Sequence, residues 1–253
     1  MTANLTIALL GLAIILIIVN GYGKPLTETR YIMNTYAYIL FAILAISGTV
    51  LYIDNHHQEI AITAYMNFFV MFILLITTLF ATIAISPENY IIKHIAWLAF
   101  LAIVGIMIYP SAKLALIKGQ LWNIIISLAC IVGTLSFIAY TKPLGTYLSW
   151  GNMLTTCLVG LIIFEVVDML FFADNNTNKF ITRTKIYSWI TIILFSGFML
   201  YDTQKLILHA KIYNSKCSNT INLQQLSCVD YPSESLSLFL DIINLFSSMS
   251  NIS

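Results

Sequence analysis

The sequence has little charge. Asp, Glu, Lys and Arg make up 9% of its 253 residues, against about 25% in soluble domains. Apolar residues make up 59% of the chain, and this composition excludes an ordinary soluble enzyme. The 12 basic and 11 acidic residues leave a net charge of +1, so no basic surface is available to hold nucleic acid. We therefore expect no nucleic-acid partner.

The chain also lacks the motifs of common catalytic and cofactor sites. It has no Gly-rich phosphate loop, no Ser or Cys triad and no cluster of residues with metal-ligand spacing. Its four cysteines are too few for a disulfide scaffold. These absences predict a protein that is not an enzyme and that carries no resident cofactor.

Long apolar runs dominate what remains. A helix needs about 20 apolar residues to cross a bilayer core, and only helices satisfy their own backbone groups in lipid without forming a closed barrel. The sequence therefore predicts an all-α, polytopic membrane helix bundle. We count eight hydrophobic segments: Leu5 to Val19, Met33 to Ile53, Ile60 to Ile85, Ile91 to Tyr109, Leu121 to Tyr140, Leu144 to Phe172, Ile186 to Ala210 and Ser235 to Met249.

The punctuation between segments predicts the helix ends. Pro110 and Pro143 each follow an apolar run, where proline is typical of a helix boundary. Residues Lys211 to Ser233 form the only long polar stretch and predict a surface loop. A secretory signal carries basic residues before its apolar run, and the first segment has none there. We therefore expect a retained helix.

The Lys and Arg residues of alternate loops give a weak orientation. The side with more basic residues is usually cytoplasmic, and seven basic residues against five place the long loop there. Cys217 and Cys228 lie in that loop, so we expect free thiols in a reducing compartment rather than a disulfide, although the sequence leaves their pairing open. The seven are Lys24, Arg30, Lys93, Lys142, Lys205, Lys211 and Lys216, and the five are Lys113, Lys118, Lys179, Arg183 and Lys185.

Four acidic residues interrupt the apolar runs and are functional candidates, because each ionised carboxylate costs about 2.5 to 3.5 kcal/mol near the membrane centre. Asp202 lies eight residues before Ala210, and Asp241 lies six residues after Ser235. At 1.5 Å per residue they lie about 12 Å and 9 Å from the same membrane face. We expect the two carboxyl groups to meet if the helices turn the right faces together.

Two carboxyl groups in a low-dielectric site do not both ionise easily, and they can share one proton. Such a pair predicts a pH-sensitive latch, and it supplies part of a weak calcium shell. The alternative is that Asp202 pairs with Lys205 or His209 on its own helix and that Asp241 bonds locally to Ser237.

Glu165 and Asp168 are three residues apart and share one helical face, toward the opposite side of the membrane. An acidic vestibule that concentrates cations is one interpretation. A solvated helix end explains Asp168 equally well, and Glu165 is the more informative residue because it lies one turn deeper.

The residues around the two aspartates carry a family resemblance. The stretches Ser196-Gly-Phe-Met-Leu-Tyr-Asp-Thr-Gln204 and Leu238-Phe-Leu-Asp-Ile-Ile-Asn-Leu-Phe246 resemble the paired signatures of the transmembrane Bax-inhibitor-motif family. The resemblance covers residues 30–253 and implies a seven-helix domain with a short, central last helix. Residues 1–29 would then form an extra N-terminal segment.

The resemblance also implies a function. It implies a calcium leak channel of an intracellular membrane with a di-aspartyl latch at Asp202 and Asp241, and in eukaryotes or their viruses an inhibitor of cell death. The expected partners are calcium, protons, the lipid bilayer and other membrane proteins. The expected location is the endoplasmic reticulum or Golgi membrane, or the plasma membrane of a bacterium.

Two other functions are alternatives to the channel. An intramembrane aspartyl protease also places two aspartates on neighbouring helices, but its Gly-x-Gly before one aspartate is replaced here by Leu238-Phe239-Leu240. A non-conducting interaction protein, in which the aspartates only fix helix packing, stays open from the sequence.

Overall fold

A computed structural model describes Gly11, Ile14 and residues 26–56, 67–171, 177–217 and 228–252, without the side chains of residues 68 and 169–180. These residues form α-helices joined by turns and one short 3₁₀ helix. The predicted all-α class is therefore confirmed. The extra N-terminal helix lies outside the described residues except for Gly11 and Ile14, which are helical.

Seven long helices lie within the described ranges after residue 26. They are α1 Glu28–His56, α2 Phe68–Ala84, α3 Tyr90–Ile117, α4 Leu121–Thr141, α5 Gly151–Phe171, α6 Thr177–Cys217 and α7 Tyr231–Ile252, with the 3₁₀ turn Leu148–Trp150 before α5. In the described part of the chain, six of these helices are long and apolar enough to cross a membrane, and α2 is shorter.

Several predicted boundaries are wrong. Pro110 does not end α3, which continues to Ile117, because proline removes one hydrogen bond but can remain inside a helix held by its neighbours. The predicted long loop is shortened, since α6 extends to Cys217 and α7 begins at Tyr231. Polar residues extend both helices beyond the apolar runs that the sequence analysis measured.

The last helix is longer than the fifteen residues predicted. Helix α7 has 22 residues, and at 1.5 Å per residue it is about 33 Å long and sufficient to span a bilayer core. Half of the residues in its most apolar 18-residue stretch are buried, against 39% or less in the corresponding stretch of each of the other five candidate spans. It is therefore the most enclosed of the six, as expected of a central helix, but it is not short.

The chain divides into two compact units. The first contains Met1–Pro110 and Leu206–Phe239. Its core is aromatic, with Tyr38 packed against Trp97 and Tyr231 at ring-centroid distances of 5.3 Å. Helices α1 and α3 approach closely, because a Cβ on Gly105 would lie 2.8 Å from Cβ of Thr49.

The second unit contains Ser111–Lys205 and Leu240–Ser253, and it holds both Asp202 and Asp241. Its helices α4 and α5 are mostly exposed, because only 11% and 6% of the residues in their most apolar 18-residue stretches are buried. Apolar side chains on such helices face lipid in a membrane. The N-terminal part of α7 lies in the first unit and its C-terminal part in the second.

Candidate functional site

The structure brings the two predicted aspartates together. Asp202 on α6 and Asp241 on α7 are 7% and 3% exposed. Their carboxyl groups interact electrostatically and lie within hydrogen-bonding reach of each other. Two ionised carboxylates supply no donor, so a hydrogen bond between them would require a proton on one of them.

The second oxygen of Asp241 supports the same conclusion. Its Oδ2 atom is buried and has no hydrogen-bond partner among the described residues. A charged oxygen without a partner is costly in a water-poor interior. Protonation of one carboxyl group removes that charge, and the arrangement can therefore hold a proton between two helices and release it.

The alternative in which Asp202 pairs with His209 on its own helix is not what the structure shows. The Nδ1 atom of His209 lies 2.8 Å from Oε2 of Glu234, so its carboxylate partner is on α7 and not Asp202. Lys205 does act on Asp202 through its charge. Asp202 therefore interacts with a cation on its own helix and with a carboxyl group on the next.

Gln204 anchors the segment that follows Asp202. Its side chain is fully buried, and its Oε1 atom accepts a hydrogen bond of 2.8 Å from the backbone N–H of Tyr147. Its Nε2 atom donates to the carbonyl oxygen of Pro143 at 3.0 Å. One amide thus ties α6 to the turn before α5, where Gly145 has a positive φ of 103° that glycine adopts without strain.

Glycine also lets α6 lie close to α5 at this level. A Cβ on Gly151 would lie 2.7 Å from Cε2 of Tyr201, the residue before Asp202, and one on Gly197 would lie 2.8 Å from Cδ2 of Leu154. The close approach fixes the face of α6 that carries Tyr201. Sequence reasoning quoted Gly197, Tyr201 and Gln204 only as part of a signature and did not assign them these contacts.

Glu165 and Asp168 do not form one open acidic site. Asp168 accepts a hydrogen bond of 2.9 Å from Nη1 of Arg183 on α6, and this cation neutralises it. Glu165 is exposed on α5. Of the two residues, Asp168 is thus paired with a cation, and the vestibule stays a prediction.

The site offers few ligands for a bound metal. Within the described ranges, no three His, Cys, Asp or Glu side chains lie together as a metal site requires. Calcium prefers six to eight oxygen ligands, and Asp202 and Asp241 supply only the carboxylate part.

Comparison with known proteins gives the family. The family model described as "Inhibitor of apoptosis-promoting Bax1" matches residues 28–252. The chain belongs to this family. It is also 28% identical over 159 residues to the growth hormone-inducible transmembrane protein of Rattus norvegicus, a match that covers 61% of this chain and 41% of that protein. The chain thus spans less than half the length of that relative.

Family membership and the apolar helices together establish a multi-pass integral membrane protein. The match begins at residue 28, close to the predicted start of the seven-helix domain. It confirms the resemblance inferred from the residues around Asp202 and Asp241. It does not cover the first 27 residues.

One ion pair in this family member was missed by sequence reasoning. Lys93 is 1% exposed, and its Nζ atom lies 2.6 Å from Oδ2 of Asp230 and from the carbonyl oxygen of Ile85. The sequence did contain a signal for this ion pair, because a lysine three residues inside an apolar run requires a partner. Lys93 was instead assigned to a loop in the orientation argument, where a lysine needs no partner.

Asp230 also begins the helix that carries Asp241. Its Oδ1 atom accepts a hydrogen bond from the backbone N–H of Ser233 at 3.2 Å, as an N-cap aspartate does. Glu234 follows in the first turn, where a negative charge is favourable. The start of α7 is thereby fixed to α3 through Lys93 and to α6 through His209.

The prediction of free thiols at Cys217 and Cys228 is wrong. The two residues form a disulfide with their Cα atoms 6.3 Å apart. The sequence argument relied on a predicted compartment and placed both residues in a loop. In the structure Cys217 is the last residue of α6 and Cys228 lies shortly before α7, so the two adjacent helix ends bring the cysteines within bonding range.

Proposed function

We propose that this membrane protein is a pH-sensitive calcium leak channel of an intracellular membrane, with Asp202 and Asp241 as its latch. The observation that supports this most strongly is the contact between the two buried carboxyl groups on α6 and α7. Buried acidic residues inside membrane helices commonly mark ion or proton paths. Calcium is the transported ion here, and the chain acts as a conduit rather than an enzyme and needs no cofactor.

The latch works through one shared proton. When one carboxyl group is protonated, it donates a hydrogen bond to the other and holds α6 and α7 together. When both are ionised, the hydrogen bond is replaced by repulsion, and the pair can attract a passing cation. Acid therefore favours the closed state and alkali the open state.

Inhibition of cell death is the proposed cellular role. The family is described as an inhibitor of apoptosis-promoting Bax1, and a leak that lowers stored calcium is one physical route to that effect. The proposed location is the endoplasmic reticulum or Golgi membrane for a eukaryotic or viral chain and the plasma membrane for a bacterial one.

The alternative is a non-conducting protein that binds other membrane proteins. The contacts of Gln204 and Gly151 favour this alternative, because they fix helix packing around Asp202 and do not require ion passage. An intramembrane protease is less favoured, since bulky Phe239 and Leu240 precede Asp241.

Calcium flux into liposomes distinguishes these functions. Purified wild-type protein is expected to pass calcium down its gradient, with flux that rises from about pH 6 to about pH 8 as the shared proton leaves. Asp202→Asn and Asp241→Asn remove one titrating group each and should flatten that dependence. The measurement is the initial rate of an entrapped calcium indicator at each pH.

Glu88→Gln is the matched control, because Glu88 is an exposed carboxylate between α2 and α3. It should keep the wild-type pH profile. Absence of flux from the wild type across this range would exclude the channel and favour the interaction protein. Flux that falls as the pH rises would contradict the latch.

A further inference from the structure

We propose that the Cys217–Cys228 disulfide is a thiol–disulfide exchange site, and that its reduction by a dithiol releases the adjoining ends of α6 and α7. These are the two helices that carry Asp202 and Asp241. The effect on calcium flux rests on the proposed channel function. The exchange and the release of the helix ends do not.

The position of the disulfide suits this role. Cys217 is the final residue of α6, and Cys228 lies three residues before α7 begins. The bond therefore ties the C-terminal end of α6 to the start of α7, and two ion pairs lie near the same end. His209 on α6 pairs with Glu234 on α7, and Asp230, which caps α7, pairs with Lys93 on α3.

The two cysteine residues differ in burial. Cys217 is fully buried, whereas Cys228 is half-buried. An attacking thiolate therefore reaches the sulfur of Cys228 and displaces that of Cys217. Cys130 and Cys157 lie inside α4 and α5 and are free thiols, so the described cysteines contain one oxidised pair and two spectators.

The exchange balances with a dithiol as the only co-reactant. A thiolate of the dithiol attacks Sγ of Cys228, a mixed disulfide forms, and Cys217 leaves as a thiolate that takes up a proton. The second thiol of the reagent then attacks the mixed disulfide and releases Cys228. The dithiol is oxidised to a disulfide, and the protein gains two electrons and two protons.

Reduction of the disulfide leaves only non-covalent contacts at the adjoining ends of α6 and α7. Without the covalent bond, the ion pair that still joins α6 to α7 there is His209 with Glu234, whose side chains are 29% and 15% exposed, and partly exposed pairs contribute little. The last turn of α6, which ends at Cys217, and the first turn of α7 then open more often. Both helices continue into the second unit, where they carry the aspartates.

Two measurements on the full-length wild type in liposomes test this. The first is hydrogen exchange of the peptides that contain residues 206–217 and 228–239, with and without dithiothreitol. The second is calcium flux under the same two conditions. Reduction should raise exchange in both peptides and raise flux by at least about fivefold, the lower range of typical coupling between sites.

Two double variants serve as the matched pair. Cys217→Ser with Cys228→Ser should behave like the reduced wild type and ignore dithiothreitol. Cys130→Ser with Cys157→Ser should keep the full response. Labelling with a maleimide under denaturing conditions should find two thiols in the wild type before reduction and four after it.

The outcomes separate this proposal from the channel. Increased exchange without any flux would support the exchange site and exclude the channel. Flux and exchange that both ignore dithiothreitol, although the thiol count rises from two to four, would show a purely structural disulfide and overturn the proposal. Four thiols before reduction would overturn it as well.

Discussion

At the scale of single residues, buried charge explains the contacts that the sequence did not reveal. Asp230 uses one carboxylate oxygen to cap α7 and the other to pair with Lys93. Lys93 also donates to the carbonyl oxygen of Ile85. A buried ion pair of this kind contributes little by itself, but loss of one partner leaves an uncompensated charge.

Lys93→Met is therefore expected to be strongly destabilising. It removes the cation from a pair in which Lys93 is 1% exposed, and breaking a buried pair costs about 3 to 5 kcal/mol. The free energy of unfolding of the purified protein in detergent, measured by denaturant titration, tests this.

The double variant Lys93→Met with Asp230→Asn is the control. Asparagine caps a helix as well as aspartate does and leaves no charge unpaired, so the double variant should be more stable than Lys93→Met alone. If Lys93→Met unfolds at the same denaturant concentration as the wild type, the ion pair does not hold the start of α7.

At the scale of helices, the apolar pattern predicts which segments are helical but not which glycines allow close approach. Gly151 and Gly160 both lie on α5 in runs of similar composition. The structure separates them. A Cβ on Gly151 would meet the ring of Tyr201, whereas one on Gly160 would meet nothing within 4 Å.

Gly151→Ala is expected to destabilise the protein by about 1 to 3 kcal/mol, as overpacking of a tight contact does. The added methyl group pushes against Tyr201, the neighbour of Asp202, so the pH profile of calcium flux should shift as well. Thermal unfolding in detergent and the liposome assay measure the two effects.

Gly160→Ala provides the matched comparison on the same helix. It should be neutral or slightly stabilising, because alanine favours a helix by up to about 1 kcal/mol over glycine and nothing opposes the methyl group. Equal losses of stability in both variants would mean that the contact with Tyr201 does not limit α5.

At the scale of the whole molecule, the disulfide bears on the membrane orientation. Disulfides persist in oxidising compartments, so the bond between Cys217 and Cys228 weighs against the cytoplasmic loop predicted from basic residues. That prediction counted Lys93, which the structure pairs with Asp230 inside the protein. Without it the count falls from seven against five to six against five, which indicates almost nothing.

We therefore expect the loop to face the lumen of an intracellular membrane. In sealed vesicles from cells that express the chain, with the cytosolic face outward, a membrane-impermeant phosphine should leave the disulfide intact. The same reagent should reduce it after detergent is added. Maleimide labelling measures the thiols, and reduction in sealed vesicles would instead place the loop in the cytosol.

The sequence by itself determined the helical class, because that follows from the length of the apolar runs. It also predicts that Asp202 and Asp241 lie at similar depths, from 1.5 Å of rise per residue. Only the tertiary structure decided which partners meet. The Lys93–Asp230 and His209–Glu234 pairs join residues on different helices, and the Cys217–Cys228 bond joins residues that are 11 positions apart in the chain. Their contacts depend on how the helices rotate against each other, and periodicity does not specify that rotation.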